Sequence, residues 1–299
     1  MTKKRKKPEM HITKAQARYF RDRIGIVQTD LANIFGLKSA ITVHRIENPA
    51  IPIKPDKKKT EIYEELYSEQ KQREKMTAAL EYRDCPSGTV RLAASSSIQP
   101  NATLHYNKLT QCREWQSTVN QSRANGAIIR MIEGKRVFPA YDDPANPEER
   151  LKAEFADEKA ELKLLRTALN MTSSECSIFL GLQHNTVAMY ESLKFGGHPN
   201  DEQLHKLKDK LEKTILKAIC ITDNLQETAY YAIRYYRDEK HFRHYNIESR
   251  CEYWEYKTLA NIAVMIAERK SKHASPVKMF YPEEIPEANE DLQWIPLFD

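Results

Sequence analysis

Two landmarks occur twice in this chain, in the same order and at nearly the same offset. They limit what it can fold into more than any other feature. The first is QTDLANIFGLKSAITVHRIEN at residues 28–48, whose Gly-Leu pair and Thr-Val-x-x-x-Glu tail return in SSECSIFLGLQHNTVAMYES at 173–192. Thr42, Val43 and Glu47 correspond to Thr186, Val187 and Glu191, an offset of 144 residues from 42 to 186. The second is HYNKLTQCREW at 105–115, which returns as HYNIESRCEYW at 244–254, an offset of 139 from 105 to 244. Self-similarity at a fixed period marks an internal repeat. It divides the 299 residues into two halves, each long enough to bury its own core.

The expected organisation is a basic arm at 1–12, a first repeat at 13–138, a linker at 139–156 and a second repeat at 157–299 that ends in an acidic, apolar tail. The arm carries Lys3, Lys4, Arg5, Lys6 and Lys7, and PAYDDPANPEER (139–150) has the prolines and charges of a linker. Only 8 glycines occur, few for a β-rich chain, so the expected fold class is mainly α. Each of two tandem repeats is expected to be a helix-turn-helix bundle followed by a long helix and a small α/β or α C-terminal region of the kind that dimerises.

Within each first landmark the pattern reads helix, tight turn, helix. That is the arrangement in which a second, recognition helix enters the major groove of DNA. Residues 13–26 predict a preceding amphipathic helix, with Tyr19, Phe20, Ile24 and Ile26 apolar and Arg18, Arg21 and Arg23 between them. Gln28 or Thr29 opens the next helix, where a polar side chain and free backbone N–H groups suit a phosphate, or an ordinary cap. Leu31, Ala32 and Phe35 face inward, and Gly36 ends the helix. Lys38-Ser39-Ala40-Ile41 then opens the recognition helix, which Val43 and Ile46 anchor. This leaves Lys38, Ser39, Ala40, Thr42, His44 and Arg45 outward. Arg45 is the strongest base-contact candidate, since a guanidinium grips guanine O6 and N7 with two bonds. Lys54, in the proline- and lysine-rich stretch AIPIKPDKKK, would lie near the DNA backbone.

In the second repeat ELKLLRTALNM (161–171) places Leu162, Leu165, Leu169 and Met171 on one face. Ser173 and Ser174 open the next helix and Gly181 makes the turn. Gln183, His184, Asn185, Thr186 and Met189 then form the outward face. Asn185 and Gln183 suit adenine, and His184 suits a phosphate. This face has no Lys or Arg, so a purely structural second unit stays open. Two long helices are expected downstream, over 60–82 with Ile62, Leu66, Met76 and Leu80 among its apolar positions, and over 198–219. Residues 83–102 read as a turn region or short strand, and 126–137 as a short helix or strand. The segment YYAIRYYRDEKHFRHYN (230–246) mixes aromatic and basic residues, which either pack a core or stack on single-stranded RNA.

Charge is unequally divided. Residues 1–150 hold 27 Lys and Arg against 18 Asp and Glu, whereas the rest holds 20 against 24, so a net +9 faces a net −4. A basic first half suits a polyanion such as nucleic acid. Five cysteines without a C-x-x-C fit neither a disulfide framework nor a zinc ribbon, and fit a reducing cytosol. Cys112 and Cys251 sit at equivalent places beside a Trp, where packing is the expected role. No apolar run is long enough to cross a membrane and no apolar stretch follows the charged N-terminus, so a cytoplasmic protein is expected. No P-loop, nucleophile elbow or metal-ligand spacing is present, so neither enzymatic activity nor a metal or cofactor is expected.

Both halves resemble the anti-CRISPR-associated (Aca) helix-turn-helix repressors. The second half supplies LRTAL (165–169), LGL (180–182), MYES (189–192), HPND (198–201) and HYN (244–246). The first supplies FRDRI (20–24), FGL (35–37), HRIEN (44–48), KPD (54–56) and HYNKL (105–109). The resemblance implies a repressor of a phage or mobile element that binds an inverted repeat in double-stranded DNA and shuts down its own operon. Members are single units that form homodimers, whereas this chain is a tandem. It would either fold back as an intramolecular pseudo-dimer or pair with a second copy as a homodimer. The second unit also has Leu193-Lys194 where the family has a Gly after Glu-Ser. Two alternatives stand beside the repressor: an RNA-binding translational regulator, and a non-catalytic protein-interaction module.

Overall fold

The computed structural model describes residues 12–83, 85–93, 115–142, 155–273, 277–285 and 292–297. The chain forms α1 (Lys14–Ile24), α2 (Gln28–Ile34), α3 (Ile41–Glu47), α4 (Lys57–Ala79), β1 (Thr89–Leu92), α5 (Trp115–Ile132) and β2 (Phe138–Tyr141). It then forms α6 (Ala156–Ala168), α7 (Ser173–Leu180), α8 (Thr186–Tyr190), α9 (Asp201–Thr222) and β3 (Tyr230–Arg234). Last come α10 (Glu239–Tyr245), α11 (Tyr253–Lys270), β4 (Val277–Phe280), a 3₁₀ turn at Pro282–Glu284, and β5 (Leu292–Trp294). Among the described residues the fold is mainly helical, with two small parallel sheets. The order of three short helices, a long helix, a strand, a helix and a strand runs from α1 to β2, and again from α6 to β4 with α10 interposed.

The local causes match in the two passes. Asp56 caps α4 by accepting from the Lys59 amide at 2.9 Å, and Asn200 caps α9 in a reciprocal box with Gln203. Gly36 and Gly181 both close their helices at φ near +72°, a left-handed backbone that glycine adopts without strain. The Leu37 and Leu182 amides then each bond five residues back at 2.8 Å, to the carbonyls of Ala32 and Ser177. The repeated Gly-Leu pair is therefore a helix-ending motif, with the leucine turned onto the core.

α5 and α11 form the centre. α11 is buried on all sides from Thr258 to Ala267, as a core helix must be, and the Asn261 side chain donates to Asn125 of α5 at 3.1 Å. α4 lies on α5 and α9 on α11, each within its own half. The first short helix of each trio bridges the halves. α1 packs on α4 and also on β4, and α6 packs on α9 and also on α5 and β2, so each trio of short helices rests partly on the other half. β1 and β2 pair in parallel, Thr89 against Phe138, and β3 lies between β4 and β5, also in parallel. A parallel pair needs a crossover, which α5 supplies in the first sheet.

Several expectations are corrected. Residues 139–141 belong to β2 and not to a linker. Residues 126–132 complete α5. In α4 Leu66 is buried as expected, beside Tyr63 and Tyr67, but the buried face turns polar toward the C-terminal end, at Gln70, Arg73, Glu74 and Thr77, and Met76 is 51% exposed. The recognition segments become helical three residues later than expected, at Ile41 and Thr186. In the tail, Ile295 and Leu297 are buried, and the Ile295 amide donates to the Ala232 carbonyl of β3 at 2.9 Å. The basic arm, residues 143–150, and HYNKL with Cys112 lie outside the described residues.

Candidate nucleic-acid interface

Each helix-turn-helix head is held by three contacts of the same kind. In the first head, buried Glu47 at the end of α3 receives Arg21 of α1 in a two-bonded pair, Nε to Oε1 at 2.7 Å and Nη2 to Oε2 at 3.1 Å. The remaining Nη1 of Arg21 donates to the Ile26 carbonyl at 3.0 Å. In the second head Arg166 grips Glu191 through Nε and, at 2.9 Å, through Nη2, and its Nη1 reaches the Met171 carbonyl at 2.8 Å. A fork-to-carboxylate pair fixes orientation as well as distance, so α3 is locked to α1, and α8 to α6. Burial opposes the charge on Arg21, but Asp22 and Glu47 outweigh it and raise its pKa above that of an ordinary guanidinium.

A lysine makes the second contact. Lys14 donates to the carbonyls of Asn48, at 2.9 Å, and Ile51, just past α3. Lys159 donates to those of Ser192, at 3.0 Å, and Phe195, just past α8. Burial lowers the pKa of both ammonium groups. The third contact crosses between halves. Tyr281, after β4, donates to the Glu47 carbonyl at 2.9 Å, and Tyr141, at the end of β2, donates to the Glu191 carbonyl at 2.9 Å. The positions of α3 and α8 are thus set from both halves of the chain.

On this frame Val43, Ile46 and Val187 point into the core. Thr29, Lys38, Ser39, His44, Arg45 and Lys54 of the first head are exposed, and Ala40 and Thr42 are half-buried. Among the described residues neither Lys38 nor Arg45 has an ion-pair partner. Gln28 sits differently from its expected role, for its amide is turned inward and donates to Glu47 at 2.9 Å. Ile41, which the expected outward set omits, is 59% exposed at the start of α3.

The second head presents Gln183, His184, Asn185 and Met189 to solvent, with Ser173, Ser174 and Thr186 half-buried. Three of these form a row. Ser174 Oγ lies 2.9 Å from His184 Nε2, and His184 Nδ1 lies 3.0 Å from Asn185 Oδ1. With the imidazole proton on Nδ1, the serine donates to the ring and the ring donates to Asn185, which leaves the Asn185 amide N–H groups free to face outward. Ile178, on α7 beside this face, is also exposed.

The tyrosine-rich segment is occupied with packing. Tyr231, Tyr235 and Tyr236 are buried, Tyr235 donates to Asp22 at 3.0 Å, and Tyr236 meets Phe242 and Tyr256 edge-on. A base cannot stack on rings so enclosed, and Tyr245 is the exposed tyrosine of this group. Cys176 is buried beneath the second head, and burial pushes its thiol up to about 12, so it is an inert packing group. Among the described residues no three His, Cys, Asp or Glu side chains gather as metal ligands, and no helix is long and apolar enough to cross a membrane.

The residues that set the heads, Arg21, Glu47, Lys14 and their counterparts, are absent from the expected site residues. Their signal is nonetheless present in the repeat, since Arg21 and Arg166 occupy one place in FRDRI and LRTAL, and Glu47 and Glu191 close the repeated tail. Comparison with protein-family profiles, with curated proteins and with solved structures finds no match for this chain.

Proposed function

We propose that the chain is a sequence-specific DNA-binding transcriptional repressor in which the second repeat folds back on the first as an intramolecular pseudo-dimer. One observation carries this reading. Two helix-turn-helix heads, separate in sequence, are latched by matching Arg–Glu, Lys–carbonyl and Tyr–carbonyl contacts, and each turns polar residues outward from its recognition segment. Exposed Lys38 and Arg45 in a basic half supply a face suited to phosphate and guanine. The resemblance to anti-CRISPR-associated repressors adds autoregulation of the chain's own operon on a phage or mobile element. No catalytic step is part of this reading.

The test is a salt series of binding to the duplex upstream of the gene, with random duplex and single-stranded RNA as competitors. Tight binding that survives both competitors is expected, with affinity falling as salt rises. Equal competition by random duplex, or preference for the RNA, would overturn the reading.

A further inference from the structure

The seams that join the two halves are chemically unlike. Where α1 meets α4 and α11, Arg23 lies with its side chain 2% exposed between two carboxylates. It donates to Glu74 of its own half at 2.7 Å and to Glu268 of the other half at 2.9 Å. Tyr67 also donates to Glu268, at 2.8 Å. Beside them Tyr19 donates to Asn261 at 3.2 Å, and Asn261 in turn reaches Asn125.

The offsets that pair the two passes place apolar residues at the same points of the second seam. Arg23 answers to Ala168, as Arg21 does to Arg166. Glu74 answers to Ala218, as Asp56 does to Asn200. Glu268 answers to Ile129 by the offset that relates Trp254 to Trp115. Tyr19 and Asn125 likewise answer to Leu164 and Val264. All five of these counterparts are buried.

Like halves of two copies therefore cannot pair without penalty. Two first halves would set Arg23 against Ile129 in place of Glu268. Two second halves would set Glu268 against Ala168, leaving a buried carboxylate without its cation. Each half fits the other half and not itself. The heads so joined present different chemistry, Lys38 and Arg45 on one, Gln183 and Asn185 on the other.

We propose that the chain closes on itself through these unlike seams and reads, as a single polypeptide, a DNA site whose two halves differ in sequence. This rests on the DNA-binding reading above and departs from the inverted repeat that the family resemblance implies. One half-site carries a G·C pair read by Arg45. The other carries an A·T pair read by Gln183 or Asn185, whose amides match adenine N6 and N7. The ordered Ser174–His184–Asn185 row is what a reading second head needs, since it fixes the amide before DNA arrives.

The test selects binders of the full-length chain from a random duplex library and then weighs the complex by light scattering. The expected result is one motif without two-fold symmetry, bound by one chain per duplex. Arg45→Ala should weaken binding by about 5- to 150-fold and erase preference in one half-site, and Asn185→Ala should erase preference in the other alone. Both residues are exposed, so both variants keep the fold. A palindromic motif, two chains per duplex, or a motif indifferent to Asn185 and Gln183 would overturn the proposal while leaving the repressor reading intact. If no sequence is enriched, the DNA reading itself fails, and the proposal with it.

Discussion

At the scale of single residues, buried charges decide how the heads are held. Glu47→Ala would strip buried Arg21 of its two-bonded carboxylate and leave it Asp22 alone at 3.4 Å, so a loss of stability of up to about 3–5 kcal/mol is expected in urea denaturation. A loss below about 1 kcal/mol would contradict the latch. Lys163 gives a pH dependence. Its ammonium is desolvated beneath the Ala93 carbonyl and beside the Tyr141 ring, and burial pushes its pKa down to about 8. In the unfolded chain it titrates near 10.5. Between these values the unfolded state binds the extra proton, so stability should rise as pH climbs from about 8 toward 10.5, and the burial penalty is present in full below that window. Thermal melts should show this rise in the parent chain and not in Lys163→Met.

Single residues are also where the sequence is hardest to read. Arg21 and Arg23 fall between apolar positions of a short helix, a pattern that assigns them to its wet side. Both are buried because Glu47, Glu74 and Glu268 neutralise them, two from within 51 residues and one from 245 residues away. Hydropathy cannot distinguish a solvated arginine from a paired one.

Among the elements, the helices of both heads are legible because their causes are local: apolar residues at helical spacing, a polar cap, a glycine at the turn. Gly36→Ala and Gly181→Ala should each cost about 1–2 kcal/mol through backbone strain alone, since a Cβ at either place meets nothing within 4 Å. Gly126 is different. A Cβ there would come within 2.7 Å of Thr77 on α4, so Gly126→Ala should force α4 and α5 apart and cost about 1–3 kcal/mol in the same denaturation assay. A loss below about 1 kcal/mol at Gly126 would contradict this packing. The strands are less legible. β1 and β2 are four residues each, and their pairing is parallel across α5, so neither alternation nor a turn signal announces them. In α4 the apolar pattern holds at Leu66 and misleads at Met76, because the C-terminal part of the buried face is a hydrogen-bonded network in which Gln70 and Glu74 meet Asn125 of α5.

For the whole molecule, recurrence along the chain is enough to locate both heads. It does not reveal which half each head rests on. That choice is made by Tyr281 and Tyr141 reaching across, and by the Arg23–Glu268 pair, all contacts between residues far apart in the chain. The basic first half and acidic second half lead to a further expectation: the salt dependence of DNA binding should fall when Lys38 and Lys54 are replaced by Gln, and should barely change when Lys194 is. The most direct measurement of the central claim is a hydroxyl-radical footprint of the full-length chain on its preferred duplex, taken with the chain at one per site. Two protected patches are expected on one face, about one helical turn apart, both given by one chain. A single patch, or protection that requires a second copy of the chain, would contradict the claim.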